Sequence, residues 1–156
     1  MMSEAAGVKP LTVYPVVTAE DAATFESKVR RFLVDFERGF DAGASWYSRD
    51  QRVRIWDGSP VAAPGYDAYA AAARTWLDEE VESLSDIVED VVVLRDPSGG
   101  LAVTIVILRN VGNLRNGERF EYRMRETLVW GRAGDDWRVI HEHTSPLPSP
   151  VENSTD

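Results

Sequence analysis

Residues 126–145 read ETLVWGRAGDDWRVIHEHTS, from Glu126 to Ser145. Two runs rich in β-branched and aromatic residues flank a Gly/Asp-rich turn, the pattern of two long antiparallel strands joined as a hairpin. The hairpin holds both histidines of the 156-residue chain. His141 and His143 are two apart, so a regular strand points them to one face. Trp137 and Val139 share that face and make it apolar, so it is expected to be buried, either towards a pocket or towards a partner subunit. Arg138, Ile140, Glu142 and Thr144 occupy the other face. Histidine titrates near neutrality, so the pair either builds a site or fills a structural gap.

Upstream of the hairpin the chain keeps the strand period. Ile87–Arg95, Leu101–Val111, Glu118–Trp130 and Asp136–Ser145 are strand candidates, linked by DPSGG, GNLRNG and GRAGD. Links this short and rich in turn residues make neighbouring strands antiparallel, so these strands form a meander. In Leu101–Leu108 (LAVTIVIL), Leu101, Val103, Ile105 and Ile107 face one way. Ala102, Val106 and Leu108 face the other, with Thr104 the one polar residue. Antiparallel sheets usually leave one face to water. Two apolar faces on a central strand imply a cover on both, and with the helices on one side the second cover is expected to be another subunit, in a homodimer formed through the outer sheet face.

The N-terminal half has the helical period. Thr18 and Asp21 resemble a capping box, followed by an apolar stripe at Ala22, Phe25, Val29, Phe32, Leu33, Phe36 and Phe40, with Gly39 and Gly43 bracketing the helix end. Its aromatic face is a packing face for a sheet. Gln51–Asp57 alternates as a short strand, Gly58–Gly65 reads as a loop, and Tyr66–Leu84 as a second helix. The expected architecture is α+β, with the helices covering one face of a curved antiparallel sheet. Residues 1–17 form an N-terminal arm, 18–146 the domain, and 147–156 a Pro/Ser/acid-rich tail expected to be disordered.

A net charge of −9 and a pI near 4.7 exclude a nucleic-acid binder, which needs a concentrated basic surface. Arg30–Arg31 and the Arg123/Arg125 pair are interspersed with acids. The chain has no cysteine, so disulfides and thiolate chemistry are excluded. No apolar run is long enough to span a bilayer and no signal peptide is visible, which leaves a cytoplasmic protein without membrane partners as the expectation. No nucleotide loop, metal-ligand spacing or Ser/Cys nucleophile motif is present, so neither cofactor nor metal is expected.

The strand ending Glu126-Thr127-Leu128-Val129-Trp130, the Gly/Asp turn and Trp137-Arg138-Val139-Ile140-His141-Glu142-His143-Thr144-Ser145 resemble the C-terminal hairpin of the SnoaL-like branch of the nuclear transport factor 2-like superfamily. The association domain of calcium/calmodulin-dependent kinases carries a similar hairpin. The order of elements matches from about Thr18 to Pro146. The resemblance implies a cone of curved sheet enclosing a pocket, dimerisation through the sheet, and company with ketosteroid isomerases, polyketide cyclases of secondary metabolism, dehydratases (lyases) and epoxide hydrolases, besides non-catalytic binding and assembly domains. Fold alone does not choose among them.

The candidate catalytic residues are Asp57, Glu126, His141, Glu142 and His143. Asp57 shares the inward face of its strand with Val53 and Ile55, and a carboxylate in apolar surroundings has the raised pKa of a general base; the related isomerases keep an aspartate in this general region. Alternatively Asp57-Gly58 only starts a turn. Glu126 is the one acid on the face Phe120, Tyr122, Met124, Leu128, Trp130, so it is either paired with an arginine or faces a wet cavity. One of His141, Glu142 and His143 lines the pocket, or the histidines mark the fold. Trp46, Tyr47, Trp56, Trp76, Tyr122 and Trp130 are the candidate substrate-binding aromatics, a flat-sided apolar lining with a phenol donor that suits a polycyclic or prenyl-like molecule. The expectation is a cofactor-independent isomerase, cyclase, dehydratase or epoxide-opening enzyme acting by general acid–base catalysis on a hydrophobic, polyketide- or terpenoid-like substrate. The alternative is a non-catalytic dimeric ligand-binding or assembly module.

Overall fold

The computed structural model describes residues 17–57, 65–96 and 98–148. The N-terminal arm, the Gly58–Gly65 loop but for Gly65, and the tail beyond Pro148 lie outside these residues. Helix α1 spans Ala19–Glu37, and Thr18 caps it as its sequence predicts, its hydroxyl accepting from the Asp21 N–H at 3.0 Å. Phe25, Val29, Phe32, Leu33 and Phe36 are buried along one stripe. The stripe does not run unbroken to Phe40. Gly39 has φ +121°, a conformation that side-chain-bearing residues rarely adopt, and the chain restarts there as a short helix, α2 (Phe40–Ala44). Gly43 in α2 sits against Phe36; a Cβ there would lie 2.3 Å from the ring, so only glycine lets α2 fold this tightly onto α1. That approach fixes the start of the segment carrying Trp46 and Tyr47.

Strand β1 is Arg54–Trp56 and helix α3 is Tyr66–Arg74, continued by a π-helical segment, Thr75–Glu80. The sequence predicts helix as far as Leu84, but strand β2 already starts at Val81 and runs to Arg95. The residues from Ser83 to Asp86 pair with Asn113–Asn110 across the sheet, and this long-range ladder overrides the local helical spacing. Strands β3 (Leu101–Leu114), β4 (Arg119–Ala133) and β5 (Asp136–Pro146) complete the meander.

The sheet order is β1-β5-β4-β3-β2. All neighbours are antiparallel except β1, which lies parallel to β5, so the sheet is mixed rather than purely antiparallel. β1 and β5 are joined through the whole body of the domain instead of by a turn, which frees their relative direction. The sheet is curled but not closed, and its order places β1 on one edge and β2 on the other. Ala102, Thr104, Val106 and Leu108 of β3 are buried on the concave face; Leu101 and Ile105 are 44% and 39% exposed on the convex face. This is the two-faced apolar pattern read from the sequence.

The decisive irregularity is in β5. Val129 pairs with His141 while Trp130 pairs with Val139, so Ile140 is an extra residue, a β-bulge. Because the side-chain period is two, one extra residue flips everything after it. Trp137 and Val139 face the core, then Glu142 and Thr144 do, all buried. His141 and His143, expected on the face of Trp137 and Val139, lie instead on the convex face. No helix of the described residues is long and apolar enough to cross a membrane.

Candidate functional site

The bulge brings Glu142 into the concavity beside residues from every other layer. Across the sheet, Leu128 is the register partner of Glu142, and Glu126 that of Thr144. Glu142 is 3% exposed and Glu126 is 4% exposed. The hydroxyl of Tyr47, from the segment after α2, donates to Glu142 Oε2. The Tyr47 and Tyr69 hydroxyls stand 3.4 Å apart, and the rings meet edge to face at 5.3 Å. Asp57, just past β1, accepts from the Thr144 hydroxyl at 3.2 Å. On β2, Asp86 accepts from the Asn110 side-chain amide, while its backbone N–H donates to Glu37 Oε1 of α1 at 2.6 Å.

Burial raises the pKa values of Asp57, Asp86, Glu126 and Glu142, because the charged form loses water. It lifts Asp86 to about 7 against the lowering hydrogen bond from Asn110, with the charges of Glu37 and Asp57 adding to it. Burial likewise lifts Glu126 to about 8, reinforced by the charges of Asp57 and Asp86. Glu142 is pushed well above the carboxylate range by burial and then by Asp57 and Glu126. Both raised values favour the protonated forms of Glu126 and Glu142 at neutral pH, because in each the loss of water on burial outweighs the other causes. Asp57 is raised by burial against the Thr144 hydrogen bond. Tyr47 and Tyr69 are both raised by burial, and next by the neighbouring Glu142. The site therefore offers proton donors at neutral pH from groups that would be spent carboxylates in water.

None of the four acids forms an ion pair with a described arginine or lysine; the salt bridges lie elsewhere. The arginine-paired alternative for Glu126 is thereby removed among the described residues. No group of three or more His, Cys, Asp or Glu is arranged there to hold a metal ion. An open cleft of about 310 Å³ lies at Ser83–Ser85 and Val111–Asn113, and none of the acids lines it.

Of the sequence candidates, Asp57, Glu126, Glu142 and Tyr47 converge. The others separate. His141 donates through Nδ1–H to the Arg54 carbonyl at 2.9 Å. Both histidines pack edge-on against Trp56, at 5.2 and 5.9 Å, and Trp56 is 46% exposed on that same convex side. Trp56, His141 and His143 are thus outside the concavity, a correction that follows from the bulge and from the outward turn of Trp56 beside buried Ile55. Trp46 donates to Asp35 at 2.9 Å and packs on Trp130. Trp130 is fully buried, and its Nε1–H donates to Thr104 at 3.0 Å. Trp76 packs on Phe120, whose other neighbour Tyr122 is 55% exposed. Sequence reading missed Asp86 as a site residue because it fell between an overextended helix and a strand begun too late. The alternation Leu84, Asp86, Val88 was the available signal. Tyr69 lies within the segment that reads as the second helix, and nothing local marks its hydroxyl as facing Tyr47.

Neither a protein-family model nor a curated protein matches the sequence. Solved structures do match. A nuclear transport factor 2-like superfamily protein from Salmonella enterica superposes with a TM-score of 0.73 at 17% identity, covering 88% of this chain and 99% of that one. A candidate dehydratase of the same family from Streptomyces avermitilis gives 0.70 at 18% identity, covering 85% and 100%. A ketosteroid isomerase-like protein from Erwinia carotovora gives 0.67 at 16% identity, covering 85% and 100%. The helix-filled, curled sheet ending in the His141–His143 hairpin is the nuclear transport factor 2-like fold, as the resemblance of that hairpin implies.

Proposed function

We propose that the protein is a cofactor-independent acid–base enzyme that moves a proton on a hydrophobic small molecule, with polyketide- or terpenoid-like ring systems as its substrate class. The observation that carries this reading is Glu142, buried, held by the Tyr47 hydroxyl, and gathered with Asp57 and Glu126 in one concavity without a basic partner among the described residues. Asp57, the most accessible of these three acids, is the proton acceptor. The Glu126–Glu142 pair, which keeps a proton at neutral pH, is the donor, and Tyr47 and Tyr69 hold a developing oxyanion. Isomerisation, aldol-type cyclisation and carbonyl-assisted dehydration all begin with removal of a proton next to a carbonyl. Epoxide opening would use the donor first.

The test is deuterium uptake from heavy water into a β,γ-unsaturated bicyclic ketone. The wild-type protein is expected to catalyse exchange next to the carbonyl, and Asp57→Asn to lower that rate by roughly 10²–10⁴-fold while keeping the fold. Exchange retained by the variant removes Asp57 as the base, and no exchange by the wild type removes the enzyme reading.

A second reading, a non-catalytic binding or assembly module, is favoured by one observation: Phe32, Phe36 and Phe40 with Tyr47 and Tyr69 pack ring on ring through the interior. Either reading accommodates a homodimer through the convex face. One row across it runs Val92, Ile105, Thr127, His143, Trp56, with Val92, Ile105 and Trp56 exposed. Several neighbouring charges are paired among themselves, Arg109 with Glu89 and Glu121, and Arg123 with Glu89. A second copy suits this face. Light scattering is expected to give a dimer for the wild type and a monomer for Ile105→Lys, since a lysine inside an apolar interface loses its water; a wild-type monomer at all concentrations rejects the dimer.

A further inference from the structure

The interior acids present hydrogen-bond acceptors in excess of donors. Glu126 Oε2 is buried with no donor against it, and so is Asn110 Oδ1, whose amide nitrogen is committed to Asp86. Native structures rarely leave such atoms unpaired. A third buried orphan, Arg95 Nε, is a donor, and its guanidinium lies against Phe25 and Trp137; the two beside the acids are acceptors, so the group missing there is a donor. The charge inventory points the same way. Asp57 from just past β1, Asp86 from β2, Glu126 from β4 and Glu142 from β5 face inward, Glu37 of α1 reaches Asp86, and the phenols Tyr47 and Tyr69 come from the helical side. The nearby cations are turned away from them: Arg49 lies over the Tyr66 ring and Arg74 over the Phe40 ring, the latter paired with Asp41. Val91, Val106, Leu108 and Leu128 line the same face between the acids.

We propose that this interior binds an organic cation, a protonated primary or secondary amine carried on an apolar frame, with the ammonium donating to Glu126 Oε2. A neutral alcohol brings one donor and no charge. An ammonium brings two or three donors and the counter-charge that the acids lack. Ligand entry and proton loss are coupled: the ammonium keeps its protons, and a proton held by Glu126 or Glu142 leaves to solvent as the carboxylates gain a charged partner. Aromatic faces beside the acids add cation–π attraction. This ligand class uses the same concavity as the proposed reaction but not the reaction itself.

The probes are 2-cyclohexylethylamine and its neutral counterpart 2-cyclohexylethanol, titrated by calorimetry in two buffers of different ionisation enthalpy. The amine is expected to bind about 10-fold or more tightly at about pH 8.5 than at about pH 6, releasing a proton. The alcohol should show no such rise. Glu126→Gln, checked for folding by its melting curve, should weaken the amine by about 10-fold and leave the alcohol unchanged. Alcohol binding equal to amine binding, an amine affinity that is flat or falls with pH, or no amine binding at millimolar concentration each overturns the proposal. Those outcomes leave the ketone exchange test of Asp57 untouched, so the two ideas fail separately.

Discussion

Replacing Glu126 by glutamine is expected to raise the melting temperature by roughly 6–10 °C at about pH 8.5 and to leave it nearly unchanged at about pH 4.5. The sign follows from linkage. The folded-state pKa of Glu126 is raised to about 8, whereas an unfolded glutamate titrates near 4.3. Between those values the folded chain holds a proton that the unfolded chain releases. The contribution to stability is therefore fully present below about pH 4 and is lost as pH rises towards 8, the reverse of a salt-bridged acid. The loss is on the order of 3 kcal/mol once relaxation of the site is allowed for. Glutamine cannot ionise, so the variant skips that loss. Asp86, at about 7, and Glu142, raised by burial, slope the same way. The wild-type protein should thus lose stability from pH 5 to pH 8.5. Melting curves across that range check the point, and a Glu126→Gln profile parallel to the wild type would reject the buried-proton account.

Truncation of Trp130 to alanine is expected to cost about 3–5 kcal/mol. Trp130 is the largest fully buried side chain, and three rings bear on it: Phe25 at 6.1 Å, Phe32 at 6.2 Å and Trp46 at 5.9 Å. Removing it opens a void between α1 and the sheet that the rigid ring cluster cannot collapse to fill. It also takes the donor from the buried Thr104 hydroxyl. Trp130→Phe keeps most of the volume and loses the indole N–H, so it should cost less, about 1–3 kcal/mol. Urea unfolding reads both: the midpoint should fall in the order wild type, Trp130→Phe, Trp130→Ala, with the slope unchanged. Equal midpoints for the two variants would assign the effect to the hydrogen bond alone.

These expectations rest on parts of the molecule that were unequally legible. The strands β3 and β4 and the outward and inward faces of Leu101–Leu108 follow from alternation, because a period of two in a long strand has one solution. The capped start of α1 and its phenylalanine stripe follow from spacing in the same way. Glu126 was marked as buried by being the one acid on an apolar strand face, and Asp57 by sharing a face with Val53 and Ile55.

The failures have one physical origin, long-range pairing. Local spacing carried the second helix to Leu84, but the ladder with Asn110–Asn113 claims the residues from Ser83 to Asp86 for β2 and with them delivers Asp86 to the interior. The single residue Ile140 decides the most. The sequence by itself determined that 126–145 is a hairpin, that it ends the nuclear transport factor 2-like fold, and that an acid would sit on its inner face. Only the tertiary structure decided that the histidines leave that face and Glu142 enters it. A bulge is set by how two strands twist against their neighbours rather than by the residue that bulges, so it leaves no mark in the alternation it overturns.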